Sequence, residues 1–244
     1  MLKRLTHRIF YLPHEEETDR PALYYIRGDR YSLAVDAGSS DAHRRKFYAA
    51  LAAAGLRAPD FTAVTHWHWD HSFALHSVPG LTIASAATNE KLRAVQGWTW
   101  TRDAMDAREK SGEDIEFCNA CIRLEYPALS DIRVVPASLS VFDRVKIDLG
   151  GVHCLLEHRD SPHSRDALFI YIPEEKTLAA GDAACEDDYD NAGRYDPHRL
   201  RALIEYLESL DFVHFLPGHS APATKAGELV YLRGALAEFS GDVR

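Results

Sequence analysis

Thr65-His66-Trp67-His68-Trp69-Asp70-His71 sets three imidazoles and a carboxylate within six consecutive residues. Neutral imidazole nitrogens and ionised carboxylates are the donors that a borderline divalent ion prefers, zinc above all. The preceding run, Phe61-Thr62-Ala63-Val64-Thr65, reads as a short buried strand. Side chains two apart in a strand share a face, so His66 and His68 are expected to point together and Trp67 and Trp69 elsewhere. Asp70 and His71 then fall in the following turn, where they can address a second ion beside the first. A polar loop with accidental histidines is the weaker alternative.

Outward from this segment, strands and helices alternate. Ala22–Ile26 and Tyr31–Val35 flank Gly28-Asp29 and read as a hairpin. Asp41 to Ala54 reads as a helix, with Ser40 or Asp41 as cap and Gly55 as stop. Leu81–Ala84 follows as a strand. Residues 88–126, rich in Arg, Glu, Asp and Ala, read as a helical insertion that covers one edge of the site. Trp98 and Trp100 fall within it; core packing of the insertion is the simpler reading, and lining a substrate cleft the sharper one. Strands return at Ile132–Val135, Val145–Leu149, Val152–Leu156, Ala167–Ile172 and Thr177–Ala180. Pro197–Leu210 is a helix capped by Asp196, Phe212–Leu216 a last strand and Thr224–Phe239 a last helix. This order suits an α/β (α+β) fold of two facing sheets with helices outside, a four-layered αββα sandwich formed by residues 1–244 as one domain.

The formal net charge of −9 argues against a nucleic-acid partner, which calls for a basic stripe. A small-molecule substrate is expected instead, and bound metal would offset part of the negative charge locally. No apolar stretch approaches the roughly 18–20 residues that span a bilayer. The first eight residues are not followed by an apolar core of signal-peptide length, which makes the cytoplasm the expected location. Cys118 and Cys121 form a CxxC pair with no second pair to complete a structural zinc site, and they read as buried, inert thiols.

Three further places present a His or Asp at a strand end. They are Asp160-Ser161-Pro162-His163-Ser164, Gly181-Asp182 and Pro217-Gly218-His219-Ser220. With HxHxDH ahead of them, an interval of 19 residues from His163 to Asp182, and a late Gly-His, the chain resembles the metallo-β-lactamase-fold hydrolase superfamily. The resemblance runs from the early hairpin to the last helix. It implies an αββα sandwich with a two-metal site at one edge of the sheets. Carried over, His66, His68 and His163 would hold the first metal, and Asp70, His71 and His219 the second. Asp182 would bridge them. Two zinc ions per chain are the expected cofactors, with iron or manganese as alternatives.

The chain departs from the family pattern in two places. Ser72-Phe73-Ala74 stands where many relatives carry a Gly-Gly pair, and the third element is Ser161-Pro162-His163-Ser164 followed by Arg165-Asp166. His158 competes with His163, and the interval to Asp182 disfavours it. The eight histidines outside these motifs are read as structural or surface residues. Asp36 is a candidate carboxylate partner for a ligating imidazole, or equally a turn former.

Two ions about 3.5–4 Å apart would share a water and generate a bridging hydroxide near neutral pH. Asp70, between the two ion sites, is the candidate proton handler. The expected activity is hydrolysis of a small ester, thioester, lactone or amide. A phosphodiesterase on the same core and a mononuclear iron dioxygenase acting on sulfur compounds are the rival readings.

Overall fold

The computed structural model describes residues 1–241. Strands β1 (Lys3–Arg4), β2 (Ile9–Leu12), β3 (Leu23–Arg27) and β4 (Ser32–Val35) lead into helix α1 (Asp41–Ala53). Strand β5 (Phe61–Ala63), the single-turn helix α2 (Trp69–Ser72) and β6 (Leu81–Ser85) follow. Helices α3 (Ala86–Gln96), α4 (Arg102–Ser111) and α5 (Glu116–Glu125) precede β7 (Leu139–Val141). The rest comprises β8 (Arg144–Asp148), β9 (His153–His158), β10 (Leu168–Ile172), β11 (Thr177–Gly181), α6 (Pro197–Ser209), β12 (His214–Pro217), β13 (Ala223–Thr224) and α7 (Lys225–Gly241).

Period-2 alternation sorts the strand residues into layers. The first sheet runs β1 to β7 in sequence order, and the second is ordered β13-β12-β11-β10-β9-β8. Tyr24, Ile26, Leu33 and Val35 of the first sheet meet Leu156, Leu168, Ile170 and Leu216 of the second in one buried layer. Their neighbours Leu23, Tyr25 and Ala34 turn outward onto Phe47 and Leu51 of α1. Phe169, Leu178 and Phe215 turn outward onto Leu200, Leu203 and Leu207 of α6 and Leu232 of α7. Each such aliphatic or aromatic side chain contributes about 1.5–3 kcal/mol on burial, so the layers pack without a polar scaffold. The result is the αββα order.

The strands that lead to the site are parallel. β4 pairs with β5, β5 with β6 and β6 with β7 in parallel register, and β11 pairs likewise with β12. Parallel neighbours put their C-terminal ends on one side, which is where loops from both sheets can meet. Local sequence starts both helices, α1 and α6, as expected. The Ser40 side chain accepts from the Ala42 and His43 amides at the start of α1, and Asp196 accepts from His198 and Arg199 ahead of Pro197 in α6.

The expected early hairpin forms, β3 pairing antiparallel with β4, and β2 extends it through Ile9↔Ile26 to Leu12↔Leu23, with β1 beyond. One sequence expectation needs correction. Ile132–Val135 does not form a strand. Ile132 and Val134 are buried, packing into the cluster formed with α3–α5, while β7 takes the ladder beside β6. Pro136 follows directly; it holds Val135 extended and has no N–H to donate to a ladder. Apolarity in this stretch serves burial alone and not strand pairing. Among the described residues, no helix is long and apolar enough to cross a membrane.

Candidate metal centre

β5 ends at Ala63, and the segment carrying the histidines is then held by two buried carboxylates. Asp36 accepts from the Thr65 amide at 2.7 Å and from its hydroxyl at 3.0 Å. Asp166 accepts from the Trp67 amide at 2.9 Å and from the Thr88 hydroxyl at 2.7 Å. His66, between these anchors, and His68, just past them, turn to the same side, their ring centroids 4.5 Å apart. Trp67 and Trp69 turn into the apolar cluster with α3–α5. The alternation expected of a strand therefore persists beyond the strand's end. Asp70 and His71 lie in the turn of α2, which the Ser72 hydroxyl closes by donating to the Trp67 and His68 carbonyls.

The other donors arrive from the second sheet. His163 sits in the turn between β9 and β10, and its Nδ1 donates to the Glu186 carbonyl at 2.6 Å. That bond leaves Nε2 to face His68 Nδ1 at 3.0 Å. Asp182 follows β11 directly. Gly181, at φ +52°, approaches Thr65 so closely that a Cβ would lie 2.4 Å from its Oγ1. At Gly218, after β12, a Cβ would lie 2.1 Å from Asp182 Oδ1 and 2.9 Å from His71 Cε1, so the bare backbone is what admits both Asp182 and His71.

All seven residues named from the sequence converge, in two adjoining groups. His66, His68 and His163 form one; Asp70, His71, Asp182 and His219 form the other, with the donor atoms of each group within 4.8 Å of one another. Asp182 reaches into both. Its Oδ2 lies 3.1 Å from His71 Nε2 and 3.2 Å from His219 Nε2, and 4.0 Å from Nε2 of both His66 and His163. Two buried atoms here have no hydrogen-bond partner, His66 Nε2 and Asp182 Oδ1. Leaving such an atom unpaired costs about 1–3 kcal/mol, and a cation is a partner that both can share. The donor set of imidazoles and carboxylates, without a lysine or arginine among them, fits a divalent metal.

Electrostatics divides the two groups. Burial, reinforced by the neighbouring imidazoles, holds His66 and His68 well below the usual histidine range, in the neutral form that a ligand must have. Burial opposes charge on His71 as well, but the carboxylates of Asp70, Asp182 and Asp36 outweigh it and raise its pKa well above the usual value. His219 is raised in the same way, by Asp182, Asp19 and Asp70. Burial likewise opposes the charge on Asp182 and Asp70, and the facing His219 and His71 outweigh it, holding both carboxyls well below the ordinary range.

The partners of the remaining imidazole nitrogens are carboxylates in this second group. His71 Nδ1 lies 2.8 Å from Asp36 Oδ2, and Asp36 itself sits in a left-handed turn at φ 65°, so it meets both descriptions left open by the sequence. His219 Nδ1 lies 3.1 Å from Asp19 Oδ1. Sequence reasoning misses Asp19 and Asp166. Asp166 carries a faint signal as the last residue of His163-Ser164-Arg165-Asp166, whereas Asp19 carries none. His158 stays outside, its Nε2 3.1 Å from the Arg165 carbonyl.

A cavity of about 620 Å³ opens against His68 and His163. Trp67, Trp98 and Tyr189 line it, and the Lys91 ammonium sits 5.6 Å from the Trp67 ring. Tyr189 packs 4.8 Å from His68 and 5.0 Å from Trp67, between ring centroids. Trp98 thus lines the cleft and also packs in the core, with the Arg108 guanidinium 4.4 Å from its ring. Trp100 packs against Phe73. Cys118, Cys121 and Cys154 are buried thiols, and none of the four cysteines is in a disulfide.

Comparison with known proteins gives a family. No curated protein matches the chain. Among solved structures, a metallo-beta-lactamase from Pontibacter korlensis is 12% identical with a TM-score of 0.66, over 97% of this chain and 98% of that one. A metallo-beta-lactamase family protein from Thermus thermophilus is 16% identical with a TM-score of 0.67, over 98% and 81% of the two chains. A stereoselective inverting sec-alkylsulfatase from Pseudomonas sp. is 14% identical with a TM-score of 0.68; 96% of this chain covers 40% of that one. At these identities the likeness is one of fold. The sequence pattern of the metallo-beta-lactamase superfamily, however, matches residues 20–219, a span that ends on the last of the seven converging residues. The chain belongs to the metallo-beta-lactamase superfamily.

Proposed function

We propose that this chain is a metal-dependent hydrolase that holds two divalent ions, with zinc the best fit, and cleaves a small ester, thioester, lactone or amide. The observation that carries the reading is the position of Asp182. It lies between two complete donor groups, with one carboxylate oxygen reaching both and the other buried without a partner. His66, His68 and His163 would hold one ion and Asp70, His71 and His219 the other, with Asp182 shared.

Such a pair of ions, when bound, lowers the pKa of water toward neutrality and polarises the group to be cleaved. The protein supplies the rest. Asp36 and the Glu186 carbonyl each take an Nδ1–H, from His71 and His163, so that both Nε2 atoms face the cluster. Asp70 is held ionised, with Oδ2 3.0 Å from Nε2 of both His71 and His219. As an ionised carboxylate of the second group, it would orient the attacking water, accept its proton and return it to the leaving group. The cavity beside His68 and His163 receives the substrate, and Trp67, Trp98 and Tyr189 give it apolar walls that suit a small molecule rather than a nucleic acid.

The test is elemental analysis of protein purified without added metal. It is paired with a panel of esters, thioesters, lactones, amides, β-lactams, sulfate esters and phosphodiesters. About two zinc ions per chain and turnover of a carbonyl substrate are expected. One iron per chain with oxygen uptake on a persulfide, or turnover confined to phosphodiesters, would overturn the proposal.

A further inference from the structure

His219 is the least enclosed member of the cluster. Its side chain is 28% exposed, against 8% for Asp182, 6% for Asp70 and 0% for His71. It follows Gly218, which offers no side chain to pack against, and precedes Ser220 in an irregular stretch. Packing alone therefore does not set the angle of its ring. What meets its outer nitrogen is Asp19, at 3.1 Å from Nδ1.

Asp19 ends the single 3-10 turn Glu16–Thr18 and adopts a left-handed backbone, φ 53°. That conformation is uncommon for a residue other than glycine and persists where the surroundings impose it. Here the surroundings are explicit. Arg20, the next residue, donates from Nε and Nη2 to the two carboxylate oxygens of Glu125, both at 2.9 Å. Glu125 lies in α5, its side chain only 1% exposed, and its other partner is the Ser40 hydroxyl. Arg20 also closes the turn on itself through paired backbone hydrogen bonds with Glu15 at 2.9 and 3.0 Å. Two residues further on, the Ala22 amide donates to the Gly218 carbonyl at 2.7 Å, and the Tyr24 hydroxyl donates to the Pro217 carbonyl at 2.6 Å. The N-terminal segment thus grips both the strand end that carries His219 and the imidazole itself.

We infer that Asp19 is the positioning residue for His219, and that the Arg20–Glu125 clamp fixes Asp19, so that helix α5 governs the half of the site built from Asp70, His71, Asp182 and His219. An exposed ion pair would contribute little. Asp19 differs because the nitrogen it engages leaves the opposite nitrogen, 3.0 Å from Asp70 and 3.2 Å from Asp182, to complete a ligand set. The inference rests on the proposed two-ion reading for its consequence in metal binding, and on geometry alone for the orientation of the ring.

The experiment compares wild type, Asp19→Ala, Asp19→Asn and Arg20→Ala. Stepwise zinc affinity is read by competition with a chromophoric chelator. The His219 Nδ1 proton is followed by NMR in metal-free protein. Asp19→Ala is expected to keep the first zinc with wild-type affinity and to bind the second about 10–100-fold more weakly, the range seen when an outer partner of a ligating histidine is lost. Asp19→Asn, which retains an acceptor oxygen, is expected to recover most of that loss, and Arg20→Ala to show a smaller loss in the same direction. The Nδ1 proton is expected to be protected from exchange in wild type and Asp19→Asn and to vanish in Asp19→Ala. Unchanged second-zinc affinity in an Asp19→Ala protein whose wild type binds two ions overturns the inference, as does an Nδ1 proton indifferent to the substitution. A wild type that binds fewer than two ions overturns the functional reading instead, and the NMR comparison still decides the role of Asp19. Should Asp19→Ala fail to fold, Arg20→Ala and Asp19→Asn carry the same comparison.

Discussion

Nδ1 of His68 and Nε2 of His163 stand 3.0 Å apart, although 95 residues separate them in the chain. The turn after β9 delivers one and the end of the first motif the other, and the Glu186 carbonyl fixes the ring of His163. His163→Ala is expected to reduce bound metal from about two ions per chain to about one and to lower kcat/KM by at least about 100-fold. His158→Ala is the control, expected to leave both unchanged. Metal content by emission spectrometry checks both, and a loss confined to His158→Ala would reverse the assignment.

Gly218→Ala places a methyl group 2.1 Å from Asp182 Oδ1 and 2.9 Å from His71 Cε1. Neither atom belongs to a freely moving side-chain end, since both residues are buried in the cluster. We expect a stability loss of about 1–3 kcal/mol, typical of overpacking. Loss of second-ion binding should accompany it. Denaturant titration and metal analysis of the same preparation check the two together; wild-type behaviour in both would mean that the backbone there yields.

Asp70→Asn preserves shape and removes the charge. If Asp70 handles the proton, kcat should fall by about 10²–10⁴-fold while KM changes little. The metal-loaded variant should unfold cooperatively, within a few degrees of wild type. Steady-state kinetics with the best substrate of the panel, together with calorimetry, is the measurement, and undiminished kcat would remove Asp70 from the mechanism.

His43, which is not among the seven clustered residues, gives a pH dependence of stability. Fully buried in α1, it has its pKa lowered to about 3 by burial first and by Arg20 and Lys46 next. Between pH 3 and its unfolded value of 6.5 the unfolded chain takes up a proton that the folded chain refuses. Stability is therefore lost as pH falls below 6.5, by roughly 1.4 kcal/mol per pH unit from this group. His43→Gln should flatten the dependence of unfolding free energy on pH by about that slope. Equal slopes for the two proteins in denaturant titrations between about pH 6.5 and 5 would refute the assignment.

Trp98 lines the cavity that opens against His68 and His163. Trp98→Leu should raise KM several-fold for substrates with an aromatic or long acyl body, with kcat within about threefold. The same variant tested on the smallest substrate of the panel should show little change in KM, and a uniform drop in kcat would point to core damage instead.

How much of this is legible in the chain differs from residue to residue. The helix caps Ser40 and Asp196 act locally, through amides two and three residues away, and a one-dimensional reading finds them. The αββα order is legible because alternation along Leu23–Ile26 and Leu168–Ile170 assigns every side chain to a layer. Ile132–Val135 misleads because hydrophobicity reports burial and not the hydrogen-bond partner, and β7 takes the ladder.

The seven clustered residues can be named in advance because a dense motif, followed in order by three short His or Asp turns, resembles the pattern of a known family, which implies the set. Asp19 and Tyr189 cannot. Asp19 meets His219 from the far end of the chain through a left-handed turn held by Arg20, and Tyr189 meets His68 through a loop with no repeating pattern. Donor identity is a property of residue type and spacing and is written in the chain. The orientation of each imidazole, the sharing of Asp182 between two groups and the wall of the cleft depend on contacts between elements remote in sequence, which exist only once the two sheets have packed.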